Sequence, residues 1–283
     1  LLSIKAPLRK TLLFTWIGTF VDILIPAESI SGEVSKVYLM STSSNEDAGK
    51  VAASVVSQRI LSMATTLSGL IVGSVIFVAR FKPPPLLLGF IVVAVAGTAF
   101  SMGFLFYLCL RRQATERVVD WVLNVFAKIT MGRWKLTALK LRAERVLMAF
   151  YDGIETLGRR PKGFASPIIL STAAWAFDLL VVWLVFASVD PTHLSLGVML
   201  IVYSLGSAFQ TIPIGIPGEV GLIEIVTATL YTLLGIPISI GASVALLTRV
   251  ITLWFRLLMG GVAVQWAGIK TLTAPVGEER FHS

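Results

Sequence analysis

Between two apolar runs, Ser195–Ile212 and Leu222–Leu234, the chain reads Pro213-Ile214-Gly215-Ile216-Pro217-Gly218-Glu219-Val220-Gly221. Proline removes a backbone donor and glycine carries little helical preference, so this density of both stops a helix and leaves peptide groups unpaired. The flanking runs are apolar enough to lie in a bilayer, where such backbone survives only if protein or a water-filled cavity satisfies it. The stretch therefore reads as the break in a re-entrant or broken membrane helix. An earlier region has the same character. Leu12–Ile25 meets Pro26-Ala27-Glu28-Ser29-Ile30-Ser31-Gly32-Glu33 and continues into a short amphipathic segment, Val34–Met40.

The rest of the chain agrees with a membrane setting. Of 283 residues, 55% are hydrophobic and only 14% charged, with a mean hydropathy of +0.83; an average soluble domain carries about 25% charged residues. Three runs, about 51–79, 86–110 and 164–189, approach the roughly 20 apolar residues that cross a bilayer core. A fourth, about 238–269, crosses with tilt. Arg80-Phe81-Lys82-Pro83-Pro84-Pro85 makes a tight, helix-breaking link between the first two. The alternating segments of about ten residues that mark a membrane β-barrel do not occur. The predicted fold is all-α: a polytopic transmembrane bundle with two broken hairpins. Cys109 is the only cysteine, and His193 and His282 the only histidines, so no disulfide, metal site or cofactor is expected. The start of the chain shows no signal-peptide pattern.

Charge is placed unevenly. Residues 111–163 hold 12 of the 24 Lys and Arg against five acids, which is +7 of the net +8. The positive-inside rule puts this segment in the cytoplasm, where it controls topology and meets anionic headgroups rather than nucleic acid. Within it, 115–129 and 137–157 each show one apolar face, as interfacial amphipathic helices do. Either helix also offers a docking face for a partner enzyme. Fixing 111–163 inside makes 86–110 run inward and both 51–79 and 164–189 run outward.

The two broken regions match in spacing. Pro26 precedes Glu33 by seven residues, as Pro217 precedes Glu224; Glu33 lies 26 before Arg59, and Glu224 lies 25 before Arg249. Each unit is a broken hairpin with a buried glutamate, followed by a span bearing one arginine. The topology makes the units inverted, the arrangement from which many transporters build a midplane site. The whole chain is expected to form one integral membrane domain. Within it, 1–79 is the first repeat, 86–110 a linking span, 111–163 the basic segment, 164–270 the second repeat and 271–283 a polar tail. The repeat predicts a further span ahead of residue 1, equivalent to 164–189.

Charges at membrane depth cost at least about 2.5–3.5 kcal/mol each on insertion scales, so they should face the interior and pair. The natural pairs are Glu33 with Arg59 or Lys36, and Glu224 with Arg249 or Arg256. Such pairs either pin the half-helices or contact a charged headgroup. On the second reading, N–H groups at Gly32 and at Gly218–Gly221 face a phosphate, and Arg59 and Arg249 bind it bidentately. Asp178 reads as a helix-packing hydrogen bond, and Glu46-Asp47 as a solvated turn. No catalytic residue is assigned. The chain has no histidine dyad, no Gly-x-Ser-x-Gly elbow and no P-loop, because Gly32-Glu33 and Pro217–Gly221 lack the Lys-Ser/Thr a nucleotide loop requires.

At the two motifs the sequence resembles the transmembrane domain of the lysylphosphatidylglycerol synthase family, also called the flippase-like domain family. Its pattern is Pro-x-x-x-Gly-Glu-x-x-Arg, a span with a Glu-Arg pair, then Pro-Gly-Gly-x-Gly-x-x-Glu. Here the first motif reads Pro26…Gly32-Glu33-Val34-Ser35-Lys36, with two extra residues and lysine for arginine. The span carries Gln58-Arg59, and the second motif reads Pro217-Gly218-Glu219-Val220-Gly221-Leu222-Ile223-Glu224, with Glu219 in place of the second glycine.

The resemblance implies movement of lipids across the cell membrane: an anionic or aminoacylated phospholipid, or a polyprenyl-phosphate-linked lipid. Its substrate-binding residues would be Glu33, Lys36, Arg59, Gly218, Gly221, Glu224 and Arg249. The alternative it implies is the membrane subunit of a lipid-modifying transferase, either phosphatidylglycerol lysyltransferase-like or a lipid-linked glycosyltransferase. The soluble transferase domain of the aminoacylating relatives is not expected within these residues. The partners implied are membrane lipids and a soluble transferase.

Overall fold

The computed structural model describes residues 7–25, 30–44, 46–129, 136–159, 161–210 and 214–268. Every regular element among them is helical. The order is α1 (Leu8–Leu24), α2 (Ile30–Ser44), α3 (Ala48–Phe81), α4 (Pro85–Leu110), α5 (Arg112–Ile129), α6 (Leu136–Gly158), α7 (Ala165–Val189), α8 (Leu196–Phe209), α9 (Leu222–Leu233) and α10 (Ile238–Ala267). Helices α3, α4, α7 and α10 are long and apolar enough to cross a membrane, and α8 is a shorter apolar helix. They coincide with the four runs read as spans. Pro26, Glu28 and Pro213, and the tail from 271, lie outside the described residues. Around those gaps α1 ends at Leu24 and α8 at Phe209, and α2 is longer than the Val34–Met40 stretch that the sequence suggested.

Local chemistry sets the ends. Asp47 caps α3, accepting from the Gly49 N–H at 2.9 Å. At the far end Lys82 takes a left-handed conformation (φ 43°), and Pro83–Pro85 bar continuation, with Pro85 opening α4. Helix α3 is about 51 Å long at 1.5 Å per residue, more than a bilayer core needs. Its N-terminal turns pack on α6, where the Gly49 Cα approaches the Val146 carbonyl and Ala149 too closely for any side chain. The amphipathic helix α6 is thus held on the N-terminal end of α3.

Glycine governs the other crossings too, as it does where membrane helices lack a hydrophobic drive to associate. On the α3–α8 crossing, a Cβ on Gly73 would lie 2.6 Å from Leu200 Cβ, and one on Gly197 3.0 Å from the Phe77 nitrogen. Between α1 and α10, one on Gly260 would lie 2.6 Å from Phe20 Cβ. Around the α3–α8 crossing a buried cluster forms from Leu70, Phe77, Phe186, Met199, Ile201, Tyr231 and Val244. A second cluster joins α1, α2 and α10 through Phe14, Ile17, Leu39 and Ala263. Helix α3 therefore packs on α8, and α1 on α10.

The basic segment is tied in by a hydrogen-bonded corner. The Leu108 carbonyl, in the last turn of α4, has no intrahelical donor to take. Thr115 of α5 donates to it at 2.7 Å, and the Tyr151 hydroxyl of α6 lies 2.8 Å from both that carbonyl and the Thr115 hydroxyl. Burial raises the Tyr151 pKa above its ordinary value.

Candidate functional site

The break between α8 and α9 is built from left-handed backbone. Gly218 (φ 58°) and Gly221 (φ 88°) adopt conformations that side chains resist, and Glu219 adopts one (φ 49°) although the residue is only 4% exposed. A short 3-10 turn, Pro217–Glu219, packs on the end of α1, with the Gly218 Cα near Ile23. The two interrupted regions thus touch each other.

Each half-helix carries its glutamate in the first turn: Glu33 in α2 and Glu224 in α9. Each faces the arginine that lies eleven residues into the following long helix, about 17 Å along it at 1.5 Å per residue. Arg59 Nη1 stands 3.7 Å from Glu33 Oε1, and Arg249 Nε 3.4 Å from Glu224 Oε1. Of the alternatives open in the sequence, arginine of the next long helix is the partner in both units. The Lys36 stem instead lies across Gly18, where α1 and α2 meet. Arg249 also donates through Nη2 to the Gly218 carbonyl, fixing the turn from below.

The helix N-termini are already occupied. The Gly32 N–H donates to Asp22 Oδ1 at 2.6 Å, and the same oxygen accepts from the Ser31 hydroxyl at 3.0 Å. The Gly221 N–H donates to Glu224 Oε2 at 2.8 Å, the half of a capping box that a glycine N-cap leaves possible. This differs from the sequence expectation that these amides face a phosphate. A carboxylate within the protein accepts from each one and meets the positive end of the helix dipole.

A cavity of about 1420 Å³ opens between these elements. It is larger than the roughly 300–1,000 Å³ of sites for drug-sized ligands. Arg59, Gly218 and Arg249 line it, whereas Glu33, Lys36, Gly221 and Glu224 are not among its lining residues. The two glutamates stand behind it, each paired with a lining arginine. Three acids, Asp22, Asp178 and Glu219, and a third arginine, Arg256, also face the cavity. Asp178 accepts from the Tyr203 hydroxyl at 3.0 Å, the helix-packing hydrogen bond that the sequence suggested, here between α7 and α8.

Arg256, named from the sequence only as an alternative partner for Glu224 and not as a binding residue, carried a spacing signal of its own. It follows Arg249 by seven residues, which is two turns on one face of α10. A second signal is the stripe Ser54, Ser57, Ser62 and Thr65 on α3, polar at helical spacing inside a span, and all four line the cavity. Among the described residues no group of acids, cysteines and histidines suited to hold a metal ion occurs.

Comparison with known proteins agrees with this architecture. The family model described as the lysylphosphatidylglycerol synthase TM region matches residues 1–260. A UPF0104 membrane protein of Pyrococcus horikoshii is 25% identical over 275 residues, covering 93% of this chain and 78% of its own. One from Methanothermobacter thermautotrophicus is 22% identical over 252 residues, covering 89% and 73%. No solved structure matches the chain. With four spans, two interrupted helices and a family match across most of its length, the chain is an integral membrane protein that belongs to the lysylphosphatidylglycerol synthase transmembrane-region family.

Proposed function

We propose that this protein moves a lipid with a phosphate-bearing headgroup between the leaflets of the cell membrane, using Arg59, Arg249 and Arg256 as phosphate ligands. One observation carries the reading: three guanidiniums line a single large cavity among membrane-spanning helices. A charge at that depth is costly, and a headgroup needs partners of this kind to leave the aqueous surface. Arg59 and Arg249 already have their charges met by Glu33 and Glu224. A phosphate therefore gains most by drawing Arg59 or Arg249 away from its glutamate, replacing one ion pair with a bidentate phosphate contact. Glu33 and Glu224 are the groups against which the phosphate competes, and they re-form their pairs when it leaves. The packing of α3 on α8 and α1 on α10 supports an inverted relation between the units, since such a relation exchanges those two contacts. On this reading residues 111–163 lie on the cytoplasmic side.

The test is leaflet exchange of fluorescent phosphatidylglycerol in proteoliposomes, read by quenching from outside. Exchange should exceed that of protein-free vesicles and fall at least tenfold in Arg59→Gln and in Arg249→Gln, about the worth of a hydrogen bond to a charged group. Wild-type vesicles without exchange would remove the reading and leave the transferase-subunit alternative.

A further inference from the structure

The helices around the cavity form a ring with one open joint. Helix α4 packs on α3, α3 on α2, α2 on α1, α1 on α10 and α10 on α7. Between α7 and α4, where the ring would close, contact is slight. Both helices nevertheless turn a face to the same space. From Phe90 to Ser101 on α4, and from Pro167 to Asp178 on α7, lining residues recur at intervals of three and four, which is one helix face. Each face runs about 17 Å at 1.5 Å per residue. Val93 and Leu170 stand at the mouth, since both line the cavity and are 71% and 66% exposed.

The cavity is also one-sided. Its lining on α3 ends at Thr66 and on α7 at Asp178. The second halves of those helices carry Leu70, Phe77, Val182 and Phe186, which close on Met199 and Ile201 of α8 in the larger buried cluster. The first halves adjoin the basic segment, because α3 begins against α6 and α7 follows α6 in the chain. The open joint therefore faces the leaflet on the side of residues 111–163. A phospholipid has two parts that favour opposite surroundings. Its headgroup gains from the arginines, whereas an acyl chain drawn into a wall of hydroxyls and charges loses its apolar neighbours. With the other joints of the ring packed, chains attached to a headgroup in this cavity have one way out to the bilayer. We infer that the gap between α4 and α7 is a lateral portal, in which the acyl chains stay in the leaflet on the side of the basic segment while the headgroup reaches the arginines. Apolar Val93 and Leu170 meet the chains, and the less exposed hydroxyls of Thr98 and Ser171 stand behind them for the polar junction of the lipid. The inference rests on the translocation reading and adds where the lipid enters and from which leaflet.

The experiment narrows the mouth in the full chain and measures exchange of fluorescent phosphatidylglycerol in proteoliposomes. Val93→Trp with Leu170→Trp places an indole on each side of the gap. Val92→Trp with Phe177→Trp is its control, on the same helices but off the lining faces, and all four positions are between 64% and 71% exposed. Exchange should fall at least about tenfold in the first pair, as overpacking of a passage does, and stay at the wild-type rate in the control. Equal rates in the two pairs, whether at or below wild type, overturn the portal and leave translocation standing. Absence of exchange in wild type removes the translocation reading itself. The leaflet is tested in oriented vesicles with a membrane-impermeant thiol reagent, after Cys109→Ala removes the native thiol. Ser171→Cys should react from the side on which Arg145→Cys of α6 reacts. Reaction from the side of Thr192→Cys, in the loop after α7, or from neither side, overturns the leaflet assignment.

Discussion

Glu224 performs two tasks with two oxygens, and they can be separated. Oε2 caps the α9 terminus through the Gly221 N–H, while Oε1 faces Arg249 Nε at 3.4 Å. The side chains of Arg249 and Glu224 are only 13% and 17% exposed. At an effective dielectric of about 20, a pair at this separation attracts by about 5 kcal/mol, and desolvation of both charges takes back much of it. Glu224→Gln keeps an oxygen able to accept from Gly221 and removes the charge. It leaves Arg249 with the Gly218 carbonyl and should cost about 2 kcal/mol, the scale of a hydrogen bond to a charged group. Glu224→Ala also loses the cap, which adds about 1 kcal/mol. Equilibrium unfolding in mixed micelles measures both. Equal losses for Gln and Ala, or both within about 0.5 kcal/mol of wild type as at an ordinary surface site, would refute the division of labour between the two oxygens.

Other consequences are as direct. Gly73→Ala forces a Cβ to 2.6 Å from Leu200 Cβ and should cost about 1–3 kcal/mol, as overpacking does, whereas a Cβ on Gly97 meets nothing within 4 Å. Gly97→Ala should therefore raise helix stability by up to about 1 kcal/mol in the same unfolding assay. Tyr151→Phe removes the hydroxyl that reaches Leu108 and Thr115, and should cost about 1 kcal/mol and speed amide exchange in α6. Asp190, after α7, is held to a pKa of about 2 by the Thr192 hydroxyl, His193 and the Thr192 N–H. Its stabilising effect should be intact above the ordinary carboxylate pKa of about 3.9 and fade as pH falls toward 2. Carbon-detected NMR titration should give a midpoint near 2; one near the ordinary value would contradict the contacts.

The spans were legible because length and apolar composition decide them. The breaks were legible because Pro213, Pro217, Gly218 and Gly221 leave a helix no way through. Spacing alone placed Glu33 with Arg59 and Glu224 with Arg249 within a short set of alternatives; choosing between Lys36 and Arg59 required knowing that the Lys36 stem is taken up where α1 crosses α2 at Gly18. The state of the helix termini was not legible. Asp22 precedes Gly32 by ten residues across an interruption, and no periodicity reports that its carboxylate folds back onto that amide. The cavity was readable only in fragments, such as the hydroxyl stripe on α3. Its walls come from separate helices whose mutual placement is set by long-range glycine crossings.

If a lipid headgroup passes through the space bordered by Arg59, Arg249 and Arg256, filling that space must stop it, and Gly97 allows this without touching a charge. Gly97 lines the cavity from α4, and a side chain there meets no neighbouring atom at its base. Exchange of fluorescent phosphatidylglycerol by Gly97→Trp should fall to the level of protein-free vesicles while the unfolding midpoint stays at that of wild type. Exchange at the wild-type rate with tryptophan in place would show that lipid does not travel through this cavity.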